Sequence, residues 1–147
     1  MKVLIDADGC PVVDAAVRLC GRYGVSCVIL CDTAHEFHRE GAVTVVADQG
    51  ADSVDYMLVN RTEPQDIVIT QDYGLASMCL AKQARVMHQD GWEFTPYNID
   101  ALLFARHESR KLRSAGHRMK GPGKRKQEQN RSFVVAFEAL LQTMLQG

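Results

Sequence analysis

The segment that most constrains the fold lies at residues 3–11, where three apolar residues run directly into two aspartates, a glycine and a proline. A short continuous apolar run is typical of a strand that is buried on both faces of a parallel sheet. Gly9 permits a tight turn, and Pro11 suits the first turn of a helix. Because side chains alternate along a strand, Asp6 and Asp8 point to the same side. Ligands of open α/β sheets bind just beyond the carboxyl ends of the strands, so this pair is a candidate site for a divalent cation.

Further apolar strands alternate with helices along the rest of the chain. This alternation predicts an α/β fold with three layers and a mainly parallel sheet, connected by right-handed crossovers. With 147 residues, of which 46% are hydrophobic, the chain is expected to form a single domain over residues 1–147. The predicted strands cover residues 3–5, 25–31, 43–47, 67–70 and 85–88. The predicted helices cover residues 12–23, 52–59 and 75–83, a stretch from Tyr97 onward, and a closing stretch from Ser132.

Composition also indicates where the protein works. No apolar run approaches the ~20 residues that span a bilayer, and the first residues lack the pattern of a signal peptide. We therefore expect a cytoplasmic protein with no membrane association. The five cysteines are odd in number and contain no C-x-x-C pair, which argues against a disulfide framework or a zinc ribbon. Cys27 and Cys31 are expected to be small buried apolar residues.

The net charge of −1 hides a strong asymmetry along the chain. Residues 105–131 contain ten Lys and Arg against two Glu, a net charge of +8, which leaves −9 for the remainder. Three glycines and a proline within residues 114–129 predict a mobile loop in this basic segment. A basic segment on an acidic body favours an anionic partner such as nucleic acid. The alternative is that the charges only keep a solvated loop extended.

Three separate segments place carboxylates at predicted strand ends or helix starts. Converging like charges are destabilising, and a bound cation offsets this cost. An acidic site of this kind beside a basic segment is what metal-assisted phosphodiester cleavage requires. Helix capping and the helix macrodipole explain each carboxylate singly, and that alternative stays open. The candidate Mg²⁺ or Mn²⁺ ligands are Asp6, Asp8, Asp52, Asp55 and Asp72, with Asp6 and Asp72 as catalytic candidates. The candidate phosphate-binding residues are Arg106, Lys111, Arg113, Lys124 and Arg125.

The same motifs resemble those of the YaiI/YqxD family of small bacterial proteins, over essentially the whole chain. The resemblance implies a PIN-like fold, similar to nuclease domains whose acidic residues bind Mg²⁺ or Mn²⁺. PIN domains commonly place an aspartate after the first strand, matched by Asp6, and acidic residues at later strand ends, matched best by Asp72. Their central acidic position is often a glutamate, for which Asp52 or Asp55 would serve here. The matching segments are residues 6–11, 50–52 with Asp55, 69–72 with 75–76, 98–103, 106–107, Lys111, Arg113, 121–122, 124–125 and Phe133.

Two classes of function follow from these features. The first is a metal-dependent nuclease, for which RNA is favoured over DNA as the substrate. The alternative is a non-catalytic module that binds RNA or another phosphate-rich partner through the same basic segment. A third and weaker interpretation is a phosphotransfer enzyme with Asp6 as nucleophile, because Asp6 and Asp8 form a D-x-D pattern. Such a site also needs a lysine, for which Lys82 is the candidate.

Overall fold

The computed structural model of the chain describes residues 1–48, 52–116 and 124–147 and has the predicted α/β architecture. Two of the family motifs, residues 50–51 and 121–122, lie outside the described residues. The strands are β1 (Lys2–Asp6), β2 (Ser26–Asp32), β3 (Val43–Ala47), β4 (Ile67–Ile69), β5 (Arg85–Met87) and β6 (Glu93–Phe94). The helices are α1 (Val13–Tyr23), α2 (Ser53–Arg61), α3 (Tyr73–Ala81), α4 (Ile99–Ser114) and α5 (Gln127–Gln146).

The six strands form one sheet in the order β3-β2-β1-β4-β5-β6. Pairing is parallel from β3 to β5, and only β6 runs antiparallel to its neighbour. The chain winds outward from β1 in one direction through β2 and β3, then returns to the other side of β1 with β4. The switch point of the sheet therefore lies between β1 and β4, where open α/β sheets bind ligands.

Alternation along the central strand divides the apolar residues between two cores. Val3 and Ile5 belong to the core that α1 and α5 cover, whereas Leu4 belongs to the core that α2, α3 and α4 cover. All three side chains are fully buried, which explains why this strand has no polar face. The structure therefore has the three layers predicted from the sequence, and it is consistent with a PIN-like fold. Cys27 and Cys31 are buried as expected.

The structure differs from the sequence predictions mainly in the second half of the chain. Helix α4 continues to Ser114, and α5 begins at Gln127 rather than Ser132, so both ends of the loop predicted within residues 114–129 are helical. Residues 115–116 and 124–126 are not helical, and residues 117–123 of the predicted loop lie outside the described residues. The short strand β6 was not predicted, because two residues carry no detectable periodicity.

The turn between β5 and β6 contacts the start of α5. Gly91 has a φ of +93°, and a Cβ atom at this position would lie 2.6 Å from the carbonyl oxygen of Ser132. Only glycine fits both requirements, so the turn and α5 can approach each other closely. The apolar side chains predicted for the closing helix pack as expected, with Phe133, Phe137 and Leu141 fully buried against the sheet. No helix in the described ranges has the length and apolar character needed to cross a membrane.

Candidate metal and nucleic-acid site

One cleft, with a volume of about 1310 Å³, opens along the carboxyl-terminal edge of the sheet at the switch point. Its walls come from the loops after β1, β2, β4 and β5, from α2 and α4, and from the start of α5. The cleft is lined by four of the five predicted aspartates, which come from three separate segments of the chain: Asp6, Asp8, Asp55 and Asp72. The convergence predicted from the strand-end positions is therefore present for these four residues.

Asp6 is the last residue of β1 and the most strongly perturbed carboxyl of the cleft. Its Oδ2 accepts a hydrogen bond of 2.9 Å from the hydroxyl of Thr70, the residue that follows β4. Burial raises the pKa of Asp6 to about 6, the Thr70 hydrogen bond opposes the rise, and the charges of Asp55, Asp72 and Asp8 add to it. Asp6 therefore faces several like charges in a partly desolvated position, which is where a cation binds most favourably.

Asp72 and Asp55 are placed by the starts of two helices. Asp72 is the N-cap of α3, and its Oδ1 accepts a hydrogen bond of 3.0 Å from the backbone N–H of Leu75. The capping alternative is therefore correct for Asp72, but one carboxylate can both cap a helix and face the cleft. Asp55 lies in the first turn of α2, and burial, followed by the charges of Asp72 and Asp52, raises its pKa.

The remaining acidic residues are less centrally placed. Asp8 lines the cleft, and its Oδ1 lies 3.9 Å from Nδ1 of His35. Asp52 precedes α2 and is not among the described residues that line the cleft, so it acts on the cleft only through its charge on Asp55. Asp32, at the end of β2, also lines the cleft and was not singled out from the sequence. The strand-end rule that identified Asp6 would have identified it.

The cleft offers carboxylate oxygens, which are suitable ligands for a hard divalent cation. Among the described residues, these oxygens are not already arranged around a common point. Carboxylate oxygens are the ligands that Mg²⁺ and Mn²⁺ prefer. A bound cation would reduce the repulsion between Asp6 and the neighbouring carboxylates, and this effect favours cation binding. Within residues 1–48, 52–116 and 124–147, however, no three His, Cys, Asp or Glu side chains are already grouped closely enough to hold a metal ion. Metal binding at the cleft therefore requires side-chain adjustment and stays a prediction.

The basic wall of the cleft is formed by α4. Arg106 and Arg110 line it together with His107, and they share a helix face because they are four residues apart. The guanidinium carbon of Arg106 lies 5.1 Å from the centre of the Tyr73 ring, a cation–π contact that holds the side chain at the cleft. Arg110 was counted in the basic segment but not selected from the sequence. The predicted phosphate ligands Lys111, Arg113 and Lys124 do not line the cleft in the described part of the chain.

Arg125 lines the cleft but is already engaged. Its guanidinium donates to the Asp90 carboxylate, to the Gln89 carbonyl oxygen at 2.9 Å, and to Oδ1 of Asn130 at 2.7 Å. These contacts tie the start of α5 to the turn after β5. The structure therefore gives Arg125 a role in shaping the cleft, and its predicted contact with phosphate stays a prediction.

The lysine that the phosphotransfer interpretation requires lies elsewhere. Nζ of Lys82 donates a hydrogen bond of 2.7 Å to the carbonyl oxygen of Val59. Lys82 is not part of the cleft lining, and the described residues of that lining include no lysine. The arrangement of the cleft therefore gives no support to a phosphoaspartate mechanism at Asp6.

Comparison with known proteins identifies the family of the chain. The model of the family described as "Uncharacterized BCR, YaiI/YqxD family" matches residues 4–143. The chain belongs to the YaiI/YqxD family. A UPF0178 protein of Exiguobacterium sibiricum is 51% identical to it over 141 residues, which are 96% of each chain. A UPF0178 protein of Natranaerobius thermophilus is 47% identical over 144 residues, 98% of each chain.

More distant relatives of this YaiI/YqxD family member also match along nearly their full length. A UPF0178 protein of Clostridium acetobutylicum is 40% identical over 143 residues, 96% of this chain and 97% of the relative. No solved structure matches the chain significantly. The resemblance predicted from the motifs is confirmed.

Proposed function

We propose that this protein is a divalent-metal-dependent nuclease that hydrolyses phosphodiester bonds, with RNA favoured over DNA. The observation that carries the proposal is the composition of a single cleft. Carboxylates at the switch point of the sheet face two arginines of α4 across the same space. The carboxylates attract a cation, and the adjacent arginines attract the phosphates of a nucleic acid.

Each part of the cleft has a distinct role in this proposal. Asp6, Asp55 and Asp72 would hold Mg²⁺ or Mn²⁺, with Asp8 at the margin. A cation held there would supply Lewis-acid chemistry, namely a lower pKa of an attacking water and stabilisation of charge on the leaving oxygen. Arg106 and Arg110 contact the phosphates on either side of the scissile bond. Since these contacts release counterions from the nucleic acid, binding is expected to weaken as salt increases.

The direct test is cleavage of end-labelled single-stranded RNA and DNA in the presence of Mn²⁺, Mg²⁺ or EDTA. The parent protein is expected to give product with either metal and none with EDTA. Asp72→Asn is expected to lower the rate by about 100-fold, because a carboxylate ligand is lost while the amide oxygen still caps α3.

Asp100→Asn is the matched control, since Asp100 is an exposed acidic residue in the first turn of α4. It is expected to cleave at the parent rate. If Asp72→Asn cleaves as fast as the parent and the control, the activity does not belong to this cleft.

A second candidate function has one observation in its favour. The described carboxylates do not already surround a common point, so the cleft is compatible with a module that binds RNA or another phosphate-rich partner without turnover. In that case binding to RNA is salt-dependent, survives Asp6→Asn and Asp72→Asn, and gives no product with any metal.

A further inference from the structure

His88 lies in the same row of the sheet as Asp6, on the face that α2, α3 and α4 cover. Strands β1, β4 and β5 carry one row of paired residues on the face that α2, α3 and α4 cover: Leu4, Val68 and Val86. Two residues further along each strand, the same row continues as Asp6, Thr70 and His88. The hydrogen bond of 2.9 Å between Thr70 and Asp6 confirms the first pair of this continuation. Since neighbouring strands are about 4.8 Å apart, the backbones of Asp6 and His88 are roughly 10 Å apart, with Thr70 between them, and both residues line the same cleft.

The imidazole ring of His88 is held in one orientation and one tautomer. Its Nδ1 accepts a hydrogen bond of 3.0 Å from the backbone N–H of Asp90, and the ring stacks on Trp92 with centroids 4.4 Å apart. A backbone N–H can only donate, so Nδ1 carries a lone pair there and the proton resides on Nε2. Burial also lowers the pKa of His88, the Asp90 carboxylate opposes this shift and the Arg125 charge adds to it, and the net direction favours the neutral ring.

The Nε2–H group is available to a ligand. Nε2 has no hydrogen-bond partner among the described residues, in which every buried side-chain nitrogen or oxygen is paired. The atom must therefore reach the solvent of the cleft that His88 lines. The side chain as a whole is only 12% exposed, so this donor is fixed by its surroundings rather than mobile.

We infer that His88 is a substrate-binding residue of the cleft, whose Nε2–H donates a hydrogen bond to a phosphate oxygen of the bound strand. This inference rests on the proposed function and adds to it a neutral donor that the acidic and basic residues do not provide. The donor acts without transferring its proton, because neutral imidazole is a very weak acid. Two fixed supports, the Asp90 amide and the Trp92 ring, orient it before the substrate arrives.

Two substitutions separate this role from a structural one, because each preserves a different nitrogen of the ring. In His88→Asn the short amide can still accept from the Asp90 N–H but cannot reach the position of Nε2. In His88→Gln the longer side chain places an amide N–H near the position of Nε2, but it no longer accepts the hydrogen bond from the Asp90 N–H. A substrate-binding role and a structural role therefore predict opposite orders of activity.

The experiment measures cleavage of a labelled single-stranded RNA with Mn²⁺, together with thermal unfolding of each variant. We expect His88→Asn to cleave about 10- to 100-fold more slowly than the parent at subsaturating RNA, and His88→Gln to stay within about threefold. The melting temperatures are expected in the reverse order, with His88→Asn closer to the parent. His38→Gln, at an exposed histidine outside the cleft lining, is the control and is expected to match the parent in both measurements.

The outcomes distinguish failure of this inference from failure of the proposed function. If the parent cleaves RNA but His88→Asn keeps its activity while His88→Gln loses it, His88 only supports the turn and the inference is overturned. The same conclusion follows if both variants cleave at the parent rate. If the parent and the His38→Gln control give no metal-dependent product, the proposed function itself fails and the assignment of His88 falls with it.

Discussion

Replacing Asp6 with asparagine is expected to stabilise the protein and abolish cleavage. Asp6 has a pKa of about 6 in the folded protein, whereas an unperturbed aspartate has a pKa of 3.8. Folding therefore disfavours the ionised carboxylate at neutral pH. Asparagine removes this charge and keeps an oxygen that can accept from Thr70. We expect the free energy of unfolding at pH 8 to rise by about 1–3 kcal/mol. Cleavage is expected to fall by about 1000-fold, since several kcal/mol of metal-assisted stabilisation are lost.

The pH dependence of this effect follows from the raised pKa. For the parent, the stabilisation that protonation of Asp6 provides is fully present below pH 3.8 and is lost as the pH rises through about 6. The advantage of Asp6→Asn should therefore shrink between pH 8 and pH 4. Urea unfolding in EDTA at both pH values measures it, and Asp100→Asn, at an exposed aspartate of α4, controls for loss of a charge. A variant that is less stable than the parent at pH 8 would contradict this interpretation of Asp6.

Thr70→Val is expected to have the opposite effect on stability. Thr70 is 2% exposed, and its hydroxyl both donates to Asp6 and accepts from the backbone N–H of Asp72 at 3.0 Å. Valine has nearly the same shape but leaves the Asp6 carboxylate and the Asp72 N–H without this partner. We expect a loss of about 2–4 kcal/mol in the free energy of unfolding, together with a further rise in the pKa of Asp6. Cleavage should also fall, because Thr70 orients both catalytic candidates.

Thr70→Ser provides the matched comparison. Serine keeps the hydroxyl and loses only one methyl group, which costs about 1 kcal/mol when buried. Urea unfolding and the RNA cleavage assay should therefore rank the parent first, Thr70→Ser close behind and Thr70→Val well below. Equal stability of the serine and valine variants would show that the hydroxyl does not support the two carboxylates.

The fold was largely predictable because its central strands are apolar on both faces. Val3, Leu4 and Ile5 indicate burial on both sides, and the alternation of such strands with helices implies a parallel sheet between two layers of helices. The part that was predicted least well is the basic segment. Glycine, proline and charge indicate a loop locally, but α5 begins at Gln127, where the Gln129 side chain accepts a hydrogen bond of 2.7 Å from the backbone N–H of Lys126.

The candidate site was predictable only in its acidic half. Asp6 and Asp72 follow apolar strands, and residues at strand ends converge in a parallel sheet whatever their distance in sequence. The other half depends on three-dimensional contacts that leave no periodic signal. Arg110 faces the cleft because α4 crosses it, and Arg125 is occupied by Asp90, a partner 35 residues away. His88 is defined by its stacking on Trp92 and by a backbone donor.

Titration of the protein with Mn²⁺ by isothermal calorimetry decides whether the aspartates of the cleft bind a divalent cation. The parent is expected to bind Mn²⁺, and Asp6→Asn and Asp72→Asn are each expected to weaken the affinity by about tenfold or more. Asp100→Asn, outside the cleft, should bind like the parent. Equal Mn²⁺ affinity in the parent, Asp6→Asn and Asp72→Asn, or no binding to the parent, would contradict the assignment of this cleft as a metal centre.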